Sequence, residues 1–511
     1  MLRRIWISIC VFLGLVSAAV ALSPSEIAVL FNRGIKPAYY VNLLTGTLPS
    51  SLTFSRAGQA MMFDATGYLT YGPNNLVLNS NNPSVWGLNS NVSLTTGVAD
   101  PMGGSAATTV TATAANGYAY QQLYFGITSK YINSMWVRRR TGTGNVILFL
   151  PDGTAQTIAV TNTWTLFGGA GQVNGGNIPV QIRLAVSGDA VDIYSASLSQ
   201  VTYETAPRPG DQVITTSAAY YGPRFDYDPS TLATKGLLRE PAATNLFLQS
   251  GATTNAAWAG TGIALTTDGT LGPDGQLAGK YTPVASTQNH ESYQSVTGLT
   301  ASTPYTFTKY VKAGGGRYHY LSIQYSGSQM VAAVFDLAGT SNSTATQTQV
   351  LAATIQATSA TYLGSGWFRL RITATGGTTG IYAITGYAPT ATGNTFTNGG
   401  ELSTTTTGAE TFYYSIPQLE IGSLATSPIY TTTAAVTRAA ETLSPSGPLA
   451  TALAAGPSIL EATSQAGVTT RAQFAAGAFA FPYGWQRGLA AYAPGTSWGY
   501  LSSHLTVGAP Y

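Results

Sequence analysis

Aromatic rings and amides are the side chains best placed to do chemistry in this 511-residue chain, which holds 30 tyrosines and 8 tryptophans against 20 acidic residues and 3 histidines. A pyranose offers a face of C–H groups that packs on an aromatic ring, and amide or carboxylate groups then bond its hydroxyls. Two clusters have that makeup: Trp258, Tyr293, Gln294, Tyr318 and Tyr320 in the second half, and Trp86, Tyr118, Tyr120 and Gln122 in the first. The competing role is structural, because strand aromatics mostly fill cores or pair across strands. Trp164 and Trp367, each followed by alternating apolar residues, fit a core.

Catalytic patterns are sparse. Asp226 and Asp228 in FDYDP put two carboxylates on one face of an extended segment, as a glycosidase or a calcium site would need, yet short Asp side chains beside Pro229 ordinarily make turns. His290, His319 and His504 lack metal-ligand spacing, and His319 shares a strand face with Leu321 and Ile323, which suits a core. No Walker loop occurs. A binding or structural protein is expected, not an enzyme, and no cofactor.

The net charge is +3, with 8% charged residues and no basic block beyond Arg138, Arg139 and Arg140, so the footprint of a nucleic-acid binder is missing. The arginine triplet is expected at a strand end with solvated charges; its alternative is contact with an anionic glycan. Residues 1–21 have a basic start, a short apolar run and small residues at the end, which is a secretory signal pattern. The single cysteine, Cys10, falls inside it, so a cleaved chain has no disulfide.

The elements that must position these residues are strands. RYHYLSIQY alternates strictly, with Tyr318, Tyr320, Ser322 and Gln324 on one face and His319, Leu321, Ile323 and Tyr325 on the other. Similar runs recur between Gly, Ser, Thr and Asn clusters, as an all-β sandwich requires. The chain also echoes itself. Asn75-Leu-Val-Leu-Asn-Ser before Trp86 matches Asn245-Leu-Phe-Leu-Gln-Ser before Trp258, GYAYQQLYFG matches ESYQSVTGL, INSMWVRRRTG matches YTFTKYVKAGG, NTWTLF matches SGWFRL, and DIYSASLSQV matches FYYSIPQLEI. Tandem β-sandwiches at 74–207 and 244–430 follow, with a lead-in at 22–73, a linker at 208–243 and a tail or partial β unit at 431–511.

LTFSRAGQAMMFDATGYLT, GPRFDYDPSTLATKGLLREPAATNLFLQS, SGWFRLRITAT and IPQLEIGSLATSPIYTTTAAVTRAAE resemble structural proteins of tailed bacteriophages and prophages, in which such a linker precedes a carbohydrate-binding-module-like jelly roll. The resemblance covers roughly Leu52–Thr70 and Gly222–Glu441, and Arg239 stands where the family has an aliphatic residue. It implies a virion-associated adhesin or decoration protein with a surface polysaccharide as ligand and other virion proteins as partners, and by analogy with jelly-roll sugar binders a structural calcium ion. The nearly uncharged tail adds the expectation of a homo-oligomer. The signal-like start implies instead a secreted, extracellular sugar-binding protein or an accessory of a polysaccharide-degrading enzyme. A purely structural virion protein is the third expectation.

Overall fold

The computed structural model describes residues 39–397, 399–454, 458–464, 469–474 and 483–492; the signal-like segment and the tail residues Trp498, His504 and Tyr511 lie outside them. The fold is all-β and contains tandem β-sandwiches, as the alternation requires. In the second sandwich one six-stranded sheet runs, in spatial order, Ala259–Thr261, Glu291–Thr297, Gly380–Ala388, Tyr318–Ser326, Gln329–Asp336 and Gln347–Leu351. The facing sheet runs Ile263–Thr266, Gly279–Pro283, Phe412–Ile421, Pro304–Ala313, Trp367–Thr375 and Thr354–Tyr362. Leu321, Ile323, Phe335, Phe368, Ile372 and Leu419 meet between them.

The first copy is one seven-stranded sheet: Ala155–Ile158, Val146–Phe149, Thr165–Leu184, Gly117–Thr141, Ala190–Val201, Ala107–Ala112 and Val92–Val98. Its longest strand has 25 residues. Held straight, that strand would span roughly 80 Å, more than twice the width of a domain this size. The pairing slips between Asn174 and Gly176, where Gly175 and Gly176 take φ of 78° and 118°, a region open to glycine because it has no Cβ. Residues 117–125 then pair with 176–184, and 128–137 with 165–174. Both halves contribute to a shared core that includes Val110, Ala119, Val137, Ile182 and Ile193.

The duplication is repeated bond for bond. A carboxamide has two donors and two acceptor sites, and Asn75 uses all four: it donates to the carbonyls of Ala196 (3.0 Å) and Val213 (2.9 Å) and accepts from the amides of Val77 (3.1 Å) and Leu198 (3.2 Å). Asn245 donates to Pro417 (3.3 Å) and Ile429 (2.8 Å) and accepts from Phe247 and Leu419 (3.1 Å each). Ser80 and Thr215 bond each other's main-chain N–H, as do Ser250 and Thr431. The first copy thus closes through Thr215, beyond its expected end at 207.

The stretch expected as a linker carries strands. Arg224–Tyr227 pairs with Thr234–Arg239, which joins Gly484–Tyr492 from the tail, and Leu52–Ser55 pairs with Thr442–Pro445. Fully buried Arg224 donates from Nε to Glu441 (2.7 Å) and from Nη2 to Glu441 (2.6 Å) and Glu240 (2.9 Å), while Arg56 reaches Glu441 at 2.8 Å and Arg438 pairs with Glu240. Burial opposes ionisation of Glu240, but Arg224 and Arg438 hold its carboxyl at about 2. Charges taken out of water need such partners, and Glu240, which interrupts the apolar run GLLREP, finds them in Arg224 and Arg438. Arg239 itself lies over the Tyr483 ring at 4.2 Å.

Candidate functional site

In the first copy, Tyr118, Tyr120, Gln122 and Tyr124 fall on one side of the long strand, while Ala119 and Leu123 point to the core. The next strand sets Arg183, Gln181, Pro179 and Asn177 opposite them, and Val146–Phe149 beyond adds Ile147 and Phe149. The result is a row roughly 20 Å long. Tyr124 is 71% exposed, Gln122 is exposed, and Tyr118 and Tyr120 are half-buried with their rings edge to face at 6.4 Å. Burial, then the neighbouring Tyr118, raises the Tyr120 hydroxyl above its ordinary range, so it stays a hydrogen-bond donor at neutral pH.

Three of the expected first-copy residues, Tyr118, Tyr120 and Gln122, are therefore brought together. Trp86 is not: it is 2% exposed, and its Nε1 donates to the Asn79 carbonyl at 3.1 Å. Gln122 is also not the counterpart of Gln294. Gln121 clamps Leu78 by accepting from its N–H (2.9 Å) and donating to its C=O (2.8 Å), and Gln294 does the same to Leu248 (2.7 and 3.1 Å). That equivalence aligns Tyr120 with Tyr293 and leaves Gln122 free on the face. Tyr124, Gln181 and Arg183 escaped the sequence reading, although the same alternation, carried two residues further and into IPVQIRL, contains all three.

The second copy corrects more of the expectation. Trp258 is 4% exposed, stacks edge-on against Phe247 at 5.1 Å and donates to the Gln249 carbonyl at 3.2 Å, repeating the role of Trp86. Gln294 is buried by its clamp. Tyr320 is completely buried because residues 389–397 and 399–402 cross the outer face of its sheet. Phe396 meets the Tyr320 ring at 5.1 Å, and Leu402 joins it against Met330, Val334 and Ile384. Gln347 and Gln349 pin this roof by accepting from the amides of Asn394 and Phe396, both at 3.0 Å. Tyr293, beside Tyr382, and Tyr318, beside Arg317, keep half-open rings at opposite margins. Beneath the roof, burial and then Glu401 push the Glu291 carboxyl up to about 7, and it accepts from the Tyr320 hydroxyl at 3.1 Å.

Other candidates resolve into structural roles. Asp226 accepts from Phe63 N–H (2.7 Å) and pairs with Lys235 (2.9 Å), and Asp228 caps the Ser230–Thr231 turn. Both line a cavity of about 320 Å³ between this hairpin and the second copy. The arginine triplet is not free in solvent: Arg138 and Arg140 pair with Asp192 (2.8 and 2.9 Å) and Arg139 with Asp189 (3.2 Å). His319 is buried and meets Thr385 Oγ1 at 2.6 Å. Trp367 is in a core; Trp164 is half-buried under Arg138 at 4.8 Å. Among the described residues no group of three or more His, Cys, Asp or Glu side chains is set to hold a metal ion.

No protein-family model matches the chain, and no curated protein matches it in sequence. Among solved structures, the N-terminal tandem of two CBM22 domains from a Paenibacillus barcinonensis protein is similar at 13% identity, covering 69% of this chain and 98% of that one, with a TM-score of 0.23. The carbohydrate-binding module CBM6cm-2 of Cellvibrio mixtus lichenase 5A, in complex with cellotriose, is similar at 14% identity over 24% of this chain and 97% of its own, with a TM-score of 0.19. An anti-sigma factor domain-containing protein from Clostridium clariflavum has 9% identity over 71% and 98%, with a TM-score of 0.14. At such scores none of them decides what this chain binds.

Proposed function

We propose that the protein binds a polysaccharide on the open tyrosine face of its first sandwich, without turning it over. The observation that carries this reading is the row Tyr118, Tyr120 and Tyr124 with the amides Gln122, Gln181 and Asn177 beside it, on a strand face where Gln122, Tyr124 and Asn177 are exposed. Tyrosine rings give an extended polymer flat contact at small entropic cost, and amides select among hydroxyl orientations. The finer reading is a virion-associated adhesin that holds a host surface polysaccharide and assembles with other virion proteins and copies of itself; its support is the sequence resemblance alone. A secreted sugar-binding protein is the second reading, favoured by the signal-like N-terminus.

The test is titration of the purified chain from Leu22 with bacterial surface polysaccharides, beside a Tyr120→Ala, Tyr124→Ala variant of unchanged unfolding midpoint. Saturable binding lost by at least tenfold in the variant is expected. Equal binding by both proteins, or no binding to any polymer, would overturn the reading.

A further inference from the structure

The open face carries one charge. Among the outward residues of its four strands, Tyr118, Tyr120, Gln122 and Tyr124, then Asn177, Pro179, Gln181 and Arg183, then Ile147 and Phe149, then Ala155 and Thr157, only Arg183 is ionised. Its guanidinium lies over the Phe149 ring at 4.9 Å. Unlike Arg138, Arg139 and Arg140, it makes no ion pair among the described residues, and its Nε is buried without a hydrogen-bond partner. Asp152, the acid nearest to Phe149 in sequence, turns its carboxylate to the Thr154 N–H at 2.9 Å.

A long cationic side chain held over a ring has less freedom to lose when two N–H groups of its planar fork meet one carboxylate. The register sets this fork directly across from Tyr118, at one end of the tyrosine row. We infer that the polymer held on this face is acidic, and that Arg183 receives the carboxylate of a uronic-acid-type sugar while the tyrosines pack on its rings. This rests on the polysaccharide reading above and narrows it to one chemical class. The rest of the face supplies no second charge, so a neutral ring fits next to the acidic one at Tyr120 and Tyr124.

The experiment measures binding of the full chain to polygalacturonate, alginate and hyaluronate, each beside its carboxyl-reduced form and a panel of neutral polysaccharides. Arg183→Gln, Arg183→Lys and the double variant Tyr120→Ala, Tyr124→Ala are compared with wild type. At least one acidic polymer is expected to bind, to lose tenfold or more in affinity on carboxyl reduction and a similar factor with Arg183→Gln, and to recover in part with Arg183→Lys. The salt dependence should weaken in Arg183→Gln, a readout that altered folding would not give. Binding that survives carboxyl reduction, or that Arg183→Gln leaves within twofold, overturns the inference. If only neutral polymers bind, and through the tyrosines, Arg183 loses this role while the polysaccharide reading stands; if nothing binds, both fall.

Discussion

The two sandwiches share a polar frame and differ in what covers it. Asn75 and Asn245, Gln121 and Gln294, and Trp86 and Trp258 make matching bonds. On the outer faces the matched positions part company: Tyr118 corresponds to Glu291, and Arg183 to Gly386. A Cβ at Gly386 would lie 2.8 Å from the Tyr320 ring and 2.4 Å from the His290 carbonyl, so the roofed copy has no room for a side chain where the open copy extends an arginine. Inside, Met135 corresponds to Lys309, whose Nζ lies over the Tyr414 ring at 3.6 Å in the core. Buried clamps preserve a fold through divergence, whereas the exposed face is decided by whichever loop crosses it.

The largest expected effect concerns the shared frame. Asn75→Ala and Asn245→Ala should each cost about 2–4 kcal/mol, because each leaves buried main-chain groups unpaired. Chemical denaturation of both variants tests this; a loss confined to one would break the equivalence. Next comes binding: Tyr120→Ala should weaken polymer binding about tenfold, or ~1.4 kcal/mol, while its counterpart Tyr293→Ala stays within twofold. Equal losses would place ligand on both faces.

Smaller effects separate the two cores. Burial lowers the Lys309 ammonium well below its ordinary value near 10.5. Between that depressed value and 10.5 the unfolded chain binds a proton that the folded chain does not, so stability rises with pH through this window. Lys309→Met, which copies Met135, should raise stability at neutral pH by on the order of 1 kcal/mol and flatten that rise; thermal melts at pH 7 and 9 measure both. Glu291 has the opposite sign. Its folded value of about 7 exceeds the ordinary 4.5, so its contribution is present below 4.5 and is lost as pH rises through 7. Glu291→Gln should remove this decline in melts run from acid to neutral pH.

Much of this was legible in the sequence. Period-2 alternation assigned Leu321 and Ile323 to the core and Tyr318 and Tyr320 to the opposite face, and the Asn-Leu-x-Leu echo located both frames. The tryptophans were misjudged because an indole suits a sugar face and a core equally well. What settles it is the bond from Nε1 to a carbonyl at Asn79 or Gln249, both at left-handed φ of 51° and 55°, which composition does not reveal. The roof was invisible for another reason: Phe396 covers Tyr320 from 76 positions away, through contacts no local pattern encodes. The same distance hid the partnership of Arg56 with Glu441, 385 residues apart.

The position of a bound oligosaccharide tests the central claim most directly. A crystal structure of the chain with a fragment of a polymer it binds should show sugar rings along Tyr118, Tyr120 and Tyr124 and no sugar beside Tyr293 and Tyr382. Rings stacked at Tyr293 and Tyr382, with the first copy's face bare, would contradict the account.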